Sequence, residues 1–303
     1  MSAASTGQPD LRLDTADPRL VLLLALGDDE LVLGHRHSHW TGVTPHLEED
    51  LAFSSIAQDE IGHAVVWYGL ASELTGHDPD ALGLGRAPHE YRNAILVERE
   101  NGDWGYSIAR QYLYDTADDV RLSALADSAW TALAQATGAI RREERYHLMH
   151  ARTWLDRLAH GPVEARRRVT AGLSAALRDA LGLFEPLPGE AALVDEAILP
   201  TSHADLLQRW LDLVAADLER VGLERVLEEG TSLADADFVP TSSGQMEAPA
   251  ALSAPHLERR ADRWEPVGEF SGHGGRWGRH SEAFTAVWEE LTGTYRAHPG
   301  ARW

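Results

Sequence analysis

The chain has no cysteine and no lysine; all 27 of its basic side chains are arginine. The missing thiols exclude disulfides, thiolate nucleophiles and cysteine-ligated zinc or iron–sulfur centres. The missing amines exclude Schiff-base chemistry and a Walker-type phosphate loop. No apolar run is long enough to span a bilayer, the longest being Leu20 to Leu26, bounded by Arg19 and by Asp28-Asp29. Positive charge is scarce: 48 acidic residues leave a formal net charge of −21. That balance argues against a chain whose main task is binding nucleic acid or an anionic membrane. The first 17 residues show no charged-then-apolar signal pattern, so a cytoplasmic location is the default expectation. Any metal must be held by His, carboxylate or backbone oxygen, which suits Fe, Mn and Zn better than Cu(I).

Its 303 residues, 44% of them apolar, suffice for a sizeable core. The pattern reads as nearly all helix. Asp17-Pro18 is a cap followed by proline at the first helical position, and an apolar stripe then runs Leu23, Leu26, Glu30, Leu33. That helix is expected to end near Trp40-Thr41-Gly42, and Thr44-Pro45 to start a second. The second carries Phe53, Ile56, Glu60, His63, Trp67, Leu70 and Leu74 at the strict three-four spacing of a bundle helix, with Gly76 as its stop. Residues 76–102 read as a long connection across the bundle. A third helix from Asp103 places Ile108, Tyr112, Asp115 and Leu122 on one face. A fourth, from about Asp127 to His160, carries Leu133, Thr137, Ile140, Glu144, His147, Ala151, Trp154 and Leu158. Further helices are expected at about 163–183, 204–221 and 280–296, with residues 230–275 irregular. The reading is a flexible segment at 1–17 and one ferritin-like helical domain at 18–303. Within it a core bundle spans 18–160 and a helical extension spans 161–303.

The motif that carries chemistry is Glu-x-x-His, which occurs at Glu60/His63 and Glu144/His147. Each copy has an acid upstream at nearly equal distance: Glu30 (30 to 60) and Asp115 (115 to 144). Positions i and i+3 of a helix lie about 60° apart, so each pair can reach one metal together. Four carboxylates and two imidazoles can offset two divalent cations and bridge them, the donor set of a two-metal bundle centre. Two such tetrapeptides are unremarkable by count in so acidic a chain. Their placement is the signal, because all six residues sit on apolar stripes, where an unpaired acid is costly. The competing reading is an empty ion-pair network descended from such a centre. Asp118 and Asp119, a turn after Asp115, are candidates to orient the ligating imidazoles. His35, His37 and His39 form another cluster; His35 and His39 can share a metal, but first read as a polar helix end. Arg166, Arg167 and Arg168 read as a solvated face, and Trp277 and Trp303 as partner contacts.

Several stretches then resemble one family in particular. They are Gly27-Asp28-Asp29-Glu30-Leu31-Val32-Leu33-Gly34, Trp40-Thr41-Gly42, Leu96-Val97-Glu98, Asn101-Gly102-Asp103, Ile108-Ala109-Arg110-Gln111-Tyr112 and Glu143-Glu144-Arg145-Tyr146-His147. Trp154-Leu155-Asp156-Arg157-Leu158 and the closing His298-Pro299-Gly300-Ala301-Arg302-Trp303 match as well. Together they resemble the C subunits of ring 1,2-phenylacetyl-CoA epoxidase, a multicomponent bacterial monooxygenase of aerobic phenylacetate degradation. The resemblance implies a ferritin-like fold and a homo- or hetero-oligomeric complex. In it a related A subunit holds the di-iron centre and the coenzyme A thioester, the C subunit pairs with A as a structural partner, and a small B subunit links the pairs. It further implies a separate flavin/iron–sulfur reductase, and a reaction that uses O2 and NADPH to epoxidise the ring. C subunits often look like ferritin-like subunits that have lost metal ligands. Here every position is an acceptable ligand, so the second expectation is a di-iron oxygenase in its own right, with two irons held by Glu30, Glu60, His63, Asp115, Glu144 and His147. Iron storage uses the same ligands but suits neither the length nor the irregular C-terminal region.

Overall fold

Asp17 accepts a hydrogen bond from the Arg19 N–H at 2.9 Å, and Pro18 takes the first helical position, so helix α1 (Pro18–Ser38) begins where cap and fixed φ coincide. The structure is a computed structural model, and it describes residues 11–228, 256–267 and 272–301. Helix α1 is buried on every side: Leu20 to Leu26, Asp28, Asp29 and Glu30, and Leu31 to Leu33 are all inaccessible or nearly so. A helix in that position must be the centre of the fold, and its acids must find partners.

Helix α2 (Leu47–Thr75) lies along α1. It starts two residues beyond the Thr44-Pro45 signal, with no side-chain cap at His46 but with Glu48, Glu49 and Asp50 against the positive end of its dipole. Gly76 ends it in the left-handed conformation, φ 73°. The connection that follows crosses the bundle as expected, but it is structured and largely buried: α3 (Pro79–Leu84), a 3₁₀ turn at Pro88–Glu90 and α4 (Ile95–Glu98). Asp103 then accepts from the Tyr106 N–H at 2.9 Å and starts α5 (Trp104–Leu125). Helix α6 (Thr131–Ala159) begins four residues later than the sequence suggests. Residues 127–130 are held as a turn instead, with the Ala129 N–H donating to Ala197 O and the Ser128 hydroxyl to Ile198 O. The pairs α1/α2 and α5/α6, joined by the crossover, form a ferritin-like four-helix bundle.

Helix α7 (Val163–Ala180), running into a 3₁₀ turn at Leu181–Phe184, packs on the other side of α5. The short α8 (Glu190–Asp195) follows, and α9 (His203–Arg220), capped by Ser202, lies beside α5. One apolar core runs without a break from Ala109, Tyr112 and Leu113 of α5 through Leu173 and Leu177 of α7 to Trp210 and Val214 of α9. Helix α10 (Arg225–Glu228) closes that side.

Much of the stretch read as irregular, 230–275, lies outside the described residues, but its later part is not irregular. Strands β1 (His256–Arg260) and β2 (Arg263–Val267) form an antiparallel hairpin in the register His256↔Val267 to Arg260↔Arg263. Trp264 fastens the hairpin to α9: its N–H donates to the Gln208 side chain at 2.7 Å and its indole N–H to Asp212 at 3.0 Å. Helix α11 (Glu282–Ala297) lies over α3 and α4.

Candidate metal centre

The six residues singled out by spacing come from the four bundle helices and all lie inside. Glu30 is 2% exposed, Glu60 0%, His63 3%, Asp115 1%, Glu144 4% and His147 1%. Two glycines of α1 let the first pair of helices close up around them. A Cβ on Gly34 would meet Glu60 Cβ at 2.9 Å, and one on Gly27 would meet the Tyr68 ring at 2.9 Å. Both glycines face α2, and Gly34 sits against the turn that carries Glu60.

One donor atom each from Glu30, Glu60, His63 and Glu144 falls within 4.8 Å of all the others. His63 Nδ1 lies 3.1 Å from Glu144 Oε1 and 3.6 Å from Glu30 Oε2. His147 joins from the other side, its Nδ1 3.2 Å from the same Glu144 oxygen and 3.6 Å from Glu60 Oε1. The two rings stand 6.0 Å apart. Asp115 is outside the tight group of four, yet buried beside it, and Glu144 and His147 act on it most strongly after burial itself. Tyr114 donates its hydroxyl to Glu30 Oε1 at 3.3 Å.

Apart from that bond the inward-facing atoms of the cluster are unsatisfied. Glu30 Oε2, both oxygens of Glu60, Asp115 and Glu144, and Nδ1 of both histidines are buried without an aligned hydrogen bond. Burying polar atoms in this way costs about 1–3 kcal/mol each and more for charges, and native proteins rarely leave so many together. The electrostatics carry the same message. Burial, reinforced by Glu30, Glu144 and Asp115, pushes Glu60 well above the usual carboxylate range. Burial and Glu144 do the same to Asp115. Burial alone would neutralise both imidazoles, but Glu144 and Glu30 hold His63 up to about 12, and Glu144 holds His147 up to about 10. Glu144 in turn, against its burial, is drawn down to about 2 by the two rings.

The orienting groups are not the ones expected. Asp118 pairs with Arg121 at 2.9 Å, and His63 and His147 bond to neither Asp118 nor Asp119. Instead His63 on α2 bonds through Nε2 to Glu143 on α6 at 2.9 Å, and His147 on α6 bonds through Nε2 to Asp59 on α2 at 3.3 Å. Each motif helix supplies the acid for the other's histidine, from the position just before its own glutamate. The signal was present in the sequence as Asp59-Glu60-x-x-His63 and Glu143-Glu144-x-x-His147. These bonds leave Nδ1 of each ring turned to the cluster and fix which nitrogen is free to ligate.

Neighbouring acids of α1 are fully accounted for. Asp28 receives the Arg86 guanidinium, the Tyr68 hydroxyl at 2.6 Å and the Arg92 N–H at 2.7 Å. Asp29 receives Arg121 and Arg276, each at 2.8 Å, and the Ala94 N–H at 2.7 Å. Only Glu30, third in the run, is left for the cluster. The Arg166–Arg168 run is, as expected, a surface feature: Arg167 and Arg168 pair with Glu164, and Arg166 donates to backbone carbonyls. Trp277 is 54% exposed, and Trp303 lies outside the described residues.

Buried, mutually repelling carboxylates with unpartnered oxygens, faced by two imidazoles held from behind, make up the donor set of a carboxylate–histidine metal centre. The architecture is that of the ferritin-like bundles. The comparison with known proteins agrees. Residues 6–232 match the family described as "Phenylacetic acid catabolic protein", and the chain belongs to that family. It is 35% identical over 176 residues to the C subunit of the 1,2-phenylacetyl-CoA epoxidase of Escherichia coli (strain K12), a match covering 58% of this chain and 71% of that one. No helix among the described residues is long and apolar enough to cross a membrane.

Proposed function

We propose that this chain is the C-type subunit of a phenylacetyl-CoA epoxidase complex in aerobic phenylacetate degradation, packed against a related catalytic A subunit, with the small B subunit and the reductase completing the assembly. The observation that supports it, beside the relative, is the outer surface of α2. Leu51, Ile61, Val65 and Val66 are 66%, 38%, 56% and 39% exposed, and Leu47 at the helix start is 73% exposed. Between Leu51 and Ser72 the only charged side chains are Asp59, Glu60 and His63, and all three serve the buried cluster. Tyr146 and Met149 of the neighbouring α6 are 69% and 58% exposed. A strip of apolar side chains this long is the mark of a face covered by another protein. A permanent interface of this kind buries more than about 2,000 Å². Co-expression with the A subunit, with the tag on one partner, tests the reading. Co-purification at low and moderate salt supports it; separation under both counts against it.

A second reading is favoured by the unpartnered donors: the protein holds two irons of its own. Glu30, Glu60 and His63, helped by Glu144, would hold one, and Asp115, Glu144 and His147 the other. Bound there, iron would supply redox chemistry toward O2 rather than simple Lewis acidity. The chain's own contribution is to hold the imidazoles from behind through Glu143 and Asp59, to steady Glu30 through Tyr114, and to keep bulk water from a centre walled by α1 and α5. About two irons per chain after iron-replete expression, lost in Glu60→Ala and Glu144→Ala, supports this reading; no bound metal leaves the structural role alone.

A further inference from the structure

A second cluster of donors lies outside the bundle centre, where the last turns of α1 meet the C-terminal helix. His35 in the last turn of α1 and His39, its C-terminal cap, are four residues apart, their rings 4.8 Å centre to centre and edge to face. Glu290 of α11 reaches in between them. Its Oε2 lies 3.6 Å from His35 Nε2 and its Oε1 3.3 Å from His39 Nε2, and all three residues offer a donor atom within 4.8 Å of the others. We propose that His35, His39 and Glu290 form a site for one zinc-class divalent cation, which clamps α11 to α1.

Three features carry the assignment. The first is spacing. Ligands held about 2.0–2.2 Å from a tetrahedral zinc stand about 3.3–3.6 Å apart; His35 Nε2 stands at such a distance from Glu290 Oε2 and His39 Nε2 from Glu290 Oε1, so the carboxylate would face the ion with both oxygens. The second is an orphan: His35 Nε2 is buried with no hydrogen-bond partner, although a carboxylate stands next to it. An ion between the two would satisfy it. The third is access. Glu290 is 57% exposed and His39 32%, so a cation can enter and a water can take the fourth position. The donor set, two neutral imidazoles and one carboxylate, suits zinc among the common biological cations. The adjacent guanidinium of Arg36 is engaged elsewhere, donating to Glu98 O at 2.6 Å and to Ala283 O.

The consequence is mechanical. Helix α11 is separated from α1 by more than 240 positions (39 to 282), and it covers α3 and α4, the crossover beneath the bundle. A metal shared by α1 and α11 ties the end of the chain to its beginning without touching the buried centre. The inference does not rest on the epoxidase reading, because it uses none of the six buried donors.

Tag-free full-length protein, stripped with chelator and dialysed against limiting zinc, tests it alongside the exposed-site variants Glu290→Gln and His39→Ala. Zinc per chain is read by elemental analysis, and circular dichroism confirms that each variant is folded. Wild type should retain one zinc more than either variant, and the Tm gain on adding zinc should shrink in both. Glu60→Ala, which removes a buried donor, should keep this zinc. Equal zinc content and equal Tm gain in wild type, Glu290→Gln and His39→Ala would overturn the proposal.

Discussion

His63 on α2 is held at its outer nitrogen by Glu143 of α6, 2.9 Å away, while its inner nitrogen faces Glu144 of the same turn at 3.1 Å. Two successive residues of one helix thus grip both sides of an imidazole on another. The mirror arrangement sets Asp59 and Glu60 on either side of His147. The two Glu-x-x-His helices are cross-wired, and neither motif is complete without the other.

That wiring makes the outer acids testable. Glu143→Ala and Asp59→Ala remove partly exposed side chains and should leave the fold intact. Each should weaken metal binding by about 10–100-fold, the usual cost of losing a group that orients a ligand. Metal titration of folded variants checks this; unchanged affinity in both would show that the acids do not position the rings.

The charge state of the cluster sets a pH dependence with opposite signs for the metal-free and metal-bound protein. His63 and His147 are raised to about 12 and about 10 in the fold. Their stabilisation is therefore complete below ~6.5, the ordinary histidine value, and is lost as pH rises through the folded values. The raised carboxyls of Glu60 and Asp115 act in the same sense, their contribution fading above the ordinary carboxylate range. Glu144, lowered to about 2, acts oppositely, its contribution being lost only as pH falls toward that value. The Tm of metal-free protein should fall from pH 7 to pH 10, more steeply than in His63→Gln. Divalent metal must displace these protons, so its affinity should rise with pH and its binding should release protons. Calorimetry in buffers of different ionisation heat measures that release.

Asp29 carries two buried arginines, Arg121 and Arg276, which join α1 to α5 and to the segment before α11. Asp29→Ala leaves Arg121 with Asp118 alone and Arg276 with backbone carbonyls only. Breaking a buried pair from one side typically costs about 3–5 kcal/mol, and the two partners here place the loss at the upper end. Denaturant unfolding measures it, and a loss below about 1 kcal/mol would mean that water reaches these groups.

The outer face of α2 should be dispensable for folding and required for partnership. Leu51→Glu and Val65→Glu place charges on exposed positions and should leave Tm nearly unchanged. Both should abolish co-purification with the A subunit, because unpaired charge in an interface core is costly. Retained co-purification would move the interface elsewhere.

Much of this is legible in the sequence. The three-four stripes located the bundle helices because nothing competes with burial along them, and they placed all six donors inside. Boundaries moved where tertiary contacts decided them, as with the turn before α6 that Ala197 and Ile198 hold open. The hairpin at 256–267 escaped notice because its strands carry charges at Glu258, Arg259, Arg260 and Glu265. Its anchoring depends on the buried Leu257 and on Trp264 with its α9 partners, none of which leaves a local period. The sequence points to orienting acids one turn along α5, at Asp118 and Asp119, whereas the structure supplies them from the facing motif helix. Sequence distance hides that choice: 80 residues separate His63 from Glu143. Glu290 was invisible for the same reason, lying 251 positions (39 to 290) from His39.

The two-iron reading makes Glu30, Glu60, His63, Asp115, Glu144 and His147 metal ligands, against an empty ion-pair network balanced by protons. Diffraction at the iron absorption edge, from crystals of protein expressed with ample iron, addresses it in a single map. The account expects two anomalous peaks inside the bundle, one bounded by Glu30, Glu60 and His63 and the other by Asp115, Glu144 and His147. A map without peaks there, in which the carboxyls pair through hydrogen bonds to one another, would contradict it.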